Sequence, residues 1–296
     1  MKIFDCFMFF DENVILDVRL NILNQFVDYF VIVESRYNHN GHEKDLNFDI
    51  NKYKNFKDKI IYIIHENVPK EIKRINNHDS DHEKNAKYIF NAAFRENDQR
   101  NSIINGLNKA GEDDIILISD VDEIPNLKNV RFQEIKEKLI FFKQEMFYYK
   151  FNLKLPNLNW IGTKSCKKKY LKTPQWLRNI KDRKYPFYRL DTIFSDNKYS
   201  DIKFVSDGGW HFTNIKTAEQ IRYKLKSYLH HREFEVKPIP LDEINRLITD
   251  KKAIYDLKLD KRDQKIGSGN KLEKYNIDKL PSYIRENLNK YKDWID

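Results

Sequence analysis

Three acidic residues follow a short apolar run near the middle of the chain, in the segment DDIILISDVDEIP. Residues 115–118 predict a buried strand, because a continuous apolar run suits a parallel strand that is covered on both faces. Asp120, Asp122 and Glu123 come directly after this strand. Open α/β sheets bind ligands at the carboxyl ends of their strands, so we expect these acids to line a site.

Asp120 and Asp122 could hold one cation between them. They are two positions apart on a predicted extended segment, so both carboxylates can reach the same ion. Oxygen ligands suit Mg²⁺ or Mn²⁺, which usually complete their coordination with substrate phosphates and water. The alternative is a solvated acidic turn after a strand, and the pattern alone does not separate the two interpretations.

The composition is that of a basic globular protein. The chain has 296 residues, 40% of them hydrophobic, and 54 Lys and Arg against 45 Asp and Glu give a net charge of +9. Such a surface can attract nucleic acid, an anionic membrane or a phosphorylated ligand. The lysines are scattered through Asn- and Ile-rich sequence, so a nucleic-acid partner is not expected. Cys6 and Cys166 are the only cysteines, which favours a reducing compartment.

The N-terminal segment MKIFDCFMFFDEN predicts a strand, because its apolar stretch is too short for a signal peptide and contains Asp5. No run approaches the ~20 apolar residues that a membrane-spanning helix needs. From these observations we expect a cytoplasmic protein without a membrane span.

The first half of the chain alternates strand and helix patterns. Apolar spacing predicts a helix over residues 14–26, and a capping-box pattern of Ser80 and Glu83 begins a second helix over residues 80–110. Further strands are predicted over residues 3–10, 29–33 and 60–64. Such repeated units predict an α/β fold with a mostly parallel central sheet flanked by helices.

The second half loses this regular alternation. It predicts a helix over residues 130–139, a strand over residues 140–155, and a strand with a Gly208–Gly209 bend over residues 201–212. Further helices are predicted over residues 217–231, 241–255 and 281–294, with a flexible loop over residues 267–269. No repeat or linker interrupts the chain, so we expect one domain over residues 1–296 with a helical C-terminal portion.

Several segments together resemble glycosyltransferase family 17, the family of the N-acetylglucosaminyltransferase that adds bisecting GlcNAc. They are FDCFMFFDE, VIVES, the helix with Gln99 and Arg100, DDIILISDVDEIP, GGWHF and LPSYIRENLNKY. The resemblance covers residues 1–291. It implies a GT-A-like fold, a divalent cation, and an inverting transferase that moves GlcNAc from UDP-GlcNAc, or a sugar from another UDP-sugar, to a glycan acceptor. We expect residues 1–125 to bind the nucleotide sugar and residues 126–296 to bind the acceptor.

This chemistry assigns roles to the acids, because a metal ion stabilises a departing diphosphate as a Lewis acid. Asp122 is expected to contact the ion, and Asp120 to act through water or on the ribose. His211 is the expected third ligand, since a neutral imidazole binds Mn²⁺ and the Gly208–Gly209 bend allows close backbone approach. The alternative for His211 is a core histidine that is hydrogen-bonded to backbone.

The nucleotide needs further contacts. Arg95, Arg100 and Lys44 are candidates for the diphosphate or uracil, because a guanidinium can donate two parallel hydrogen bonds to phosphate. Glu34 could accept a hydrogen bond from uridine, as could the backbone around Phe9. The alternatives are a solvated helix face for the arginines and an exposed strand end for Glu34.

Inversion requires a carboxylate base that removes the acceptor's proton on the face opposite the leaving group. Asp207 is the first candidate, with Glu145 and Asp182 as further candidates. Trp210 and Trp176 could stack on a sugar ring, although a buried core tryptophan is the commoner case.

Two other functions stay open. A haloacid-dehalogenase-type phosphatase shares the strand followed by DxD, but it needs the nucleophilic Asp near the N-terminus and a Thr or Val where Ile124 stands. A non-catalytic module could bind glycans or nucleic acid through the basic residues 164–184.

Overall fold

A computed structural model describes residues 1–186, 195–229, 231–255 and 269–296. The strands are β1 (Ile3–Phe9), β2 (Tyr29–Ser35), β3 (Ile60–His65), β4 (Ile115–Asp120), β5 (Glu123–Pro125), β6 (Leu139–Tyr148), β7 (Leu153–Lys167), β8 (Ile202–Val205), β9 (Gly209–Thr213) and β10 (Glu273–Lys274). The α-helices are α1 (Asn13–Leu23), α2 (Asp81–Asn101), α3 (Pro174–Asn179), α4 (Ala218–Ser227), α5 (His231–Val236), α6 (Leu241–Thr249) and α7 (Ser282–Glu286).

Within the described residues, one sheet contains all ten strands in the order β3-β2-β1-β4-β7-β6-β9-β5, with β8 beside β6 and β10 beside β7. The first four strands of this order are parallel. β7 pairs antiparallel with β4 and with β6, whereas β8 and β9 run parallel to β6. The prediction of a single α/β domain with a mostly parallel sheet is confirmed.

The sheet curls because β4 and β5 are joined by only two residues. β5 pairs with β9 at the end of the strand order, while β4 lies in its middle. The short link therefore draws β9 back toward the carboxyl end of β4. In this arrangement His211 of β9 lies opposite Glu123 of β5.

The parallel strands are buried on both faces. Phe7 and Phe9 of β1 pack in a core with α1, while Phe4 and Cys6 pack on the other side with the segment after α2. This alternation follows from the two-residue period of a strand. A third core joins β6 and β7 to α4 and α6.

The predicted helix over residues 80–110 begins correctly and ends early. Ser80 and Glu83 form the capping box, but α2 stops at Asn101 and a 3-10 helix covers Ser102–Gly106. At Gly106 a Cβ atom would overlap the Val31 side chain. This close packing on β2 sets the path of the chain there.

The prediction of a helix over residues 130–139 is wrong. A 3-10 turn occupies Phe132–Glu134, and β6 begins at Leu139, where β7 and β8 pair with it. Only Leu139 of the predicted helix lies in a strand, and residues 135–138 have no regular structure. The predicted strand over residues 140–155 is two strands, separated by a turn at Tyr149 with φ 63°.

The C-terminal helices are shorter than predicted. They end at Ser227, Thr249 and Glu286, and α5 is a separate helix. The strand and Gly-Gly bend predicted over residues 201–212 are confirmed as β8 and β9. The predicted loop at residues 267–269 lies outside the described residues except for Gly269. No helix in the described part of the chain has the length and apolar character to cross a membrane.

Candidate active site

The turn that links β4 to β5, residues 120–123, is fixed by a buried arginine. Arg19 Nη1 donates hydrogen bonds to three backbone carbonyls of this turn, at 2.8–3.1 Å. Its Nε and Nη2 donate to the Asp5 carboxylate at 2.8 and 2.6 Å, and both side chains are fully buried. The shape of the acidic turn therefore depends on a charge pair between α1 and β1.

Glu123 is fully buried and lies beneath the turn, so the expectation that all three acids line a site is wrong for this residue. Its carboxylate accepts hydrogen bonds from the Asp120 backbone N–H at 2.8 Å and from Trp160 Nε1 at 2.7 Å. Arg178 donates to both of its oxygens, at 2.7 and 3.0 Å. Glu123 acts as a structural anion that joins the turn to β7 and α3.

Asp120 lies between two guanidinium groups. Its Oδ1 accepts from Arg100 Nη2 and its Oδ2 from Arg178 Nη2, each at 3.1 Å. Burial alone would raise the pKa of Asp120, but Arg178 and Arg100 outweigh it and lower that pKa. Asp120 is therefore an anion with both oxygens engaged.

Asp122 faces different partners. Its Oδ1 lies 3.4 Å from His211 Nε2, and its Oδ2 lies 3.8 Å from Lys224 Nζ. Burial would raise the pKa of Asp122, but His211 and Lys224 together lower it well below the ordinary value. Within the described residues, His211 Nδ1 is buried without a hydrogen-bond partner. The carboxylate and the imidazole form a compact pair of donor groups.

These groups line a cavity of about 280 Å³ at the carboxyl ends of β1, β2 and β4. Asp120, Asp122, His211 and Lys44 all contribute to its wall. Other lining residues include Phe9, Phe10, Glu12, His39, Glu96 and Lys224. β9 and α4 close the cavity, so its walls come from both predicted halves of the chain.

A family model described as glycosyltransferase family 17 matches residues 1–295. The chain belongs to glycosyltransferase family 17. No curated protein and no solved structure matches it. The resemblance inferred from the motifs is thus confirmed, and membership of family 17 favours a sugar transferase over a phosphatase or a binding module.

In this family 17 chain, Glu34 is a structural residue. It is fully buried, and its Oε1 accepts from Lys44 Nζ at 2.6 Å and from the Asn47 N–H at 2.7 Å. Its Oε2 accepts from the Phe48 N–H at 3.0 Å and from the Tyr62 hydroxyl at 2.9 Å. The structure therefore places Glu34 behind the cavity wall, where it holds Lys44.

Arg95 and Arg100, the two arginines predicted to bind phosphate, also lie behind the cavity wall that the described residues form. Arg95 Nη1 donates to the His39 carbonyl at 3.2 Å. Arg100 binds Glu96 at 2.7 Å and Gln175 in addition to Asp120. Both arginines position groups that line the cavity.

The structure does not bring the predicted bases to this cavity as its described residues form it. Asp207 accepts a hydrogen bond from Asn126 at 3.1 Å. Glu145 pairs with Lys154, and Asp182 pairs with Lys164 at 2.6 Å. The tryptophans also lie elsewhere: Trp210 packs on the core and Trp176 Nε1 donates to the Asp196 carbonyl.

Glu12 and Glu96 are cavity carboxylates that were not predicted from the sequence, and Glu12 lies near the end of β1. Its Oε2 accepts from the backbone N–H groups of Phe10 and Asp11, at 3.2 and 3.1 Å. Its Oε1 lies 3.7 Å from Lys216 Nζ. Glu12 lies three residues after the end of β1, so its position near a strand's carboxyl end was the signal that could have identified it.

The donor set fits a divalent ion with two protein ligands. Asp122 and His211 face one cavity at adjacent positions, whereas Asp120 is engaged by arginines. In the described ranges, no group of three or more His, Cys, Asp or Glu side chains is arranged to hold an ion. Two protein ligands suffice where phosphate and water complete the coordination, as is usual for Mg²⁺.

Proposed function

We propose that this chain transfers a sugar, with GlcNAc as the first candidate, from a UDP-sugar to a hydroxyl group of a glycan acceptor, with inversion. The observation that carries this proposal is the pair of Asp122 and His211 on the wall of a cavity at the carboxyl ends of β1 and β4. In a family 17 chain, this cavity is the natural place for the nucleotide sugar.

The diphosphate is proposed to bind beside Asp122, His211 and Lys224. Burial would lower the pKa of Lys224, but Asp122, Glu12 and Asp11 outweigh it and raise that pKa, so the ammonium stays charged. Phe9 and Phe10 supply apolar surface for the base and ribose. Bound Mn²⁺ or Mg²⁺, held by Asp122 and His211, would supply Lewis-acid stabilisation of the leaving group.

Asp120 is proposed to orient the ribose or a water molecule rather than to bind the ion directly. Arg100 and Arg178 keep its carboxylate ionised and fix its direction. An anion held in this way can accept a hydrogen bond from a hydroxyl group without changing its position.

Glu12 is proposed as the general base, in place of Asp207 and Glu145. A base must be ionised, and although burial favours the neutral form, Lys216 and Lys224 lower the pKa of Glu12. Its Oε1 makes no hydrogen bond within the described residues, which leaves it available to the acceptor. Glu96 also lines the cavity, but Arg100 engages it at 2.7 Å.

The reaction then balances as a single displacement. The acceptor oxygen forms a bond to C1 of the sugar as the bond from C1 to the β-phosphate oxygen breaks. The proton passes to Glu12, and the electron pair leaves with UDP.

The test is transfer from UDP-GlcNAc to a panel of glycan acceptors with Mn²⁺, with the product analysed by NMR. Since the sugar is α-linked in UDP-GlcNAc, inversion predicts a β-linked product. An α-linked product would contradict inversion, and no transfer from any UDP-sugar tested would contradict the proposed donor class.

A further inference from the structure

A second groove, of about 690 Å³, adjoins the donor cavity. It lies between the loop after β2, helix α4 and the segment that joins α5 to α6, and it shares Asn38 and Ser227 with the cavity. Its volume is in the range of pockets that bind small ligands, so it can hold more than one sugar ring. A ligand in this groove would end beside the proposed sugar donor.

One aromatic pair connects the two spaces. Phe10 lines the cavity, Tyr223 lines the groove, and their rings stack at 5.6 Å with an angle of 15°. Tyr223 is 46% exposed, so part of its ring is open to a ligand in the groove. An exposed aromatic ring offers an apolar face on which a sugar ring can pack.

The charge in the groove is positive. Arg222 and Lys226 are one turn apart on α4, both are exposed, and His42 lies across from them. No hydrogen bond or ion pair to another described residue engages the side chains of Arg222 and Lys226. Lys226 lies in the last turn of α4, where the helix dipole favours a cation, so the pair bears on ligand binding through its position on the groove wall.

The acidic residue in the groove does not neutralise this pair. Glu235 is bound to Arg232 at 3.0 Å, within its own helix α5. The wall also has apolar residues, among them Phe234, Pro238 and Ile239, beside the polar Asn38, Asn40 and Ser227. An anionic group with sugar rings attached would match both the charges and the apolar surface.

We propose that this groove is the acceptor subsite and that it takes a glycan with an anionic group, either a carboxylate or a phosphate. The inference rests on the proposed function. The anionic group binds Arg222 and Lys226, and a sugar ring packs on Tyr223. The reacting hydroxyl group reaches the donor cavity past Asn38 and Ser227.

The experiment compares initial rates for three matched acceptors: a neutral oligosaccharide, the same oligosaccharide with a uronic acid, and a phosphorylated form. In the double variant R222Q/K226Q, we expect KM for the charged acceptors to rise at least about 30-fold, since two charged hydrogen bonds are lost and each costs roughly 1 kcal/mol or more. KM for the neutral acceptor, kcat and UDP-GlcNAc affinity should stay unchanged. Whichever charged acceptor is preferred identifies the source of the charge.

The matched control is K128Q/K136Q, which removes two exposed lysines that line neither the cavity nor the groove. It should behave as wild type. Equal KM values for neutral and charged acceptors in the wild type, or an equal loss for all three acceptors in R222Q/K226Q, would overturn the proposal.

A direct binding measurement distinguishes a failure of the proposed acceptor subsite from a failure of the proposed donor assignment. Saturation-transfer NMR should detect the charged oligosaccharide on the wild type and much less of it on R222Q/K226Q, without any nucleotide sugar. If this binding is present but UDP-GlcNAc gives no transfer, the donor assignment fails and the subsite stands. If this binding is absent from the wild type, the subsite fails.

Tyr223 gives a second test. Y223A should raise KM for the neutral and the charged acceptors alike, by about 10-fold, because the substitution removes the ring on which a sugar stacks. Y223F keeps the ring and should behave as wild type. Equal effects of the two substitutions would contradict a stacking role.

Discussion

Asp120 and Asp122 are two residues apart, but their partners give them different roles. Both oxygens of Asp120 are engaged by guanidinium groups, while Asp122 meets an imidazole and an ammonium at longer distances. The sequence pattern predicts a shared cation because it cannot show these distant arginines. We therefore expect Asp122 to bind the ion and Asp120 to orient the substrate.

At Glu12, substitution with Gln tests the proposed base. We expect kcat to fall about 10²–10⁴-fold, the usual contribution of general base catalysis, because the amide cannot accept the acceptor's proton. The affinity for UDP-GlcNAc should change little. Steady-state kinetics and calorimetry measure the two effects, with D207N as the control that should keep wild-type kcat. Wild-type kcat in the Glu12 variant together with a large fall in kcat for D207N would instead identify Asp207 as the base.

At Glu123, substitution with Ala tests the structural role of the third acid. We expect a loss of about 3–5 kcal/mol in the free energy of unfolding, because Arg178 would keep a buried charge without its main partner. Urea unfolding measures this loss. E134A removes an exposed glutamate and should change stability by less than about 0.5 kcal/mol. A similar small change in E123A would show that Glu123 does not hold the turn.

At the scale of elements, α1 and β1 form the support of the acidic turn. R19K tests this support, because lysine keeps the charge but cannot bind Asp5 with two parallel hydrogen bonds and also reach three carbonyls. We expect weaker UDP-GlcNAc binding in a folded protein, measured by calorimetry, together with lower stability in urea. Wild-type binding would show that the turn keeps its shape without the guanidinium.

The sequence predicted the parallel strands well, because their apolar runs and the capping box of α2 are local signals. It predicted a helix over residues 130–139 that does not form. It also joined β6 and β7 into one strand, since no Gly or Pro marks the turn at Tyr149 between them. The roles of Asp5 and Arg19 were also missed, although a charged residue within an apolar strand was a usable signal. Glu34 was placed at a strand end correctly, but four local donors enclose it.

For the whole molecule, the curl of the sheet creates the cavity by bringing β9 to the end of β4. The division into a donor-binding and an acceptor-binding half stays a prediction. His211 and Lys224 come from the second half and line the same cavity as Asp120 and Asp122. Truncation between the two halves would therefore remove part of the proposed donor site.

Buried histidines predict how stability depends on pH. Burial lowers the pKa of His39, His65 and His231, whereas Asp122 outweighs burial and raises that of His211. Below pH ~6.5 the unfolded chain binds protons at the first three sites that the folded chain does not, so stability falls as pH decreases from 7 to 5.5. Among the described histidines, His211 acts in the opposite direction.

H65Q tests this pH dependence away from the cavity. His65 is buried and its Nε2 lies 3.3 Å from Asp98 Oδ2. Asp98 raises the pKa of His65 by less than burial lowers it. Urea unfolding at pH 7 and 5.5 should show a smaller decrease in stability for H65Q than for wild type. An unchanged slope, or stability that rises on acidification of the wild type, would contradict the assignment.

Calorimetric titration of UDP-GlcNAc with and without Mn²⁺ tests the central claim, that Asp122 and His211 form a nucleotide-sugar site with a divalent ion. We predict binding that Mn²⁺ strengthens in the wild type and in D113A, which loses an exposed carboxylate paired with Lys167 and Lys169. In D122A, Mn²⁺-dependent affinity should fall at least ~10–100-fold, the effect of removing even an indirect metal contact. Equal Mn²⁺-dependent affinity in D122A, or no binding to the wild type with Mn²⁺, would contradict the claim.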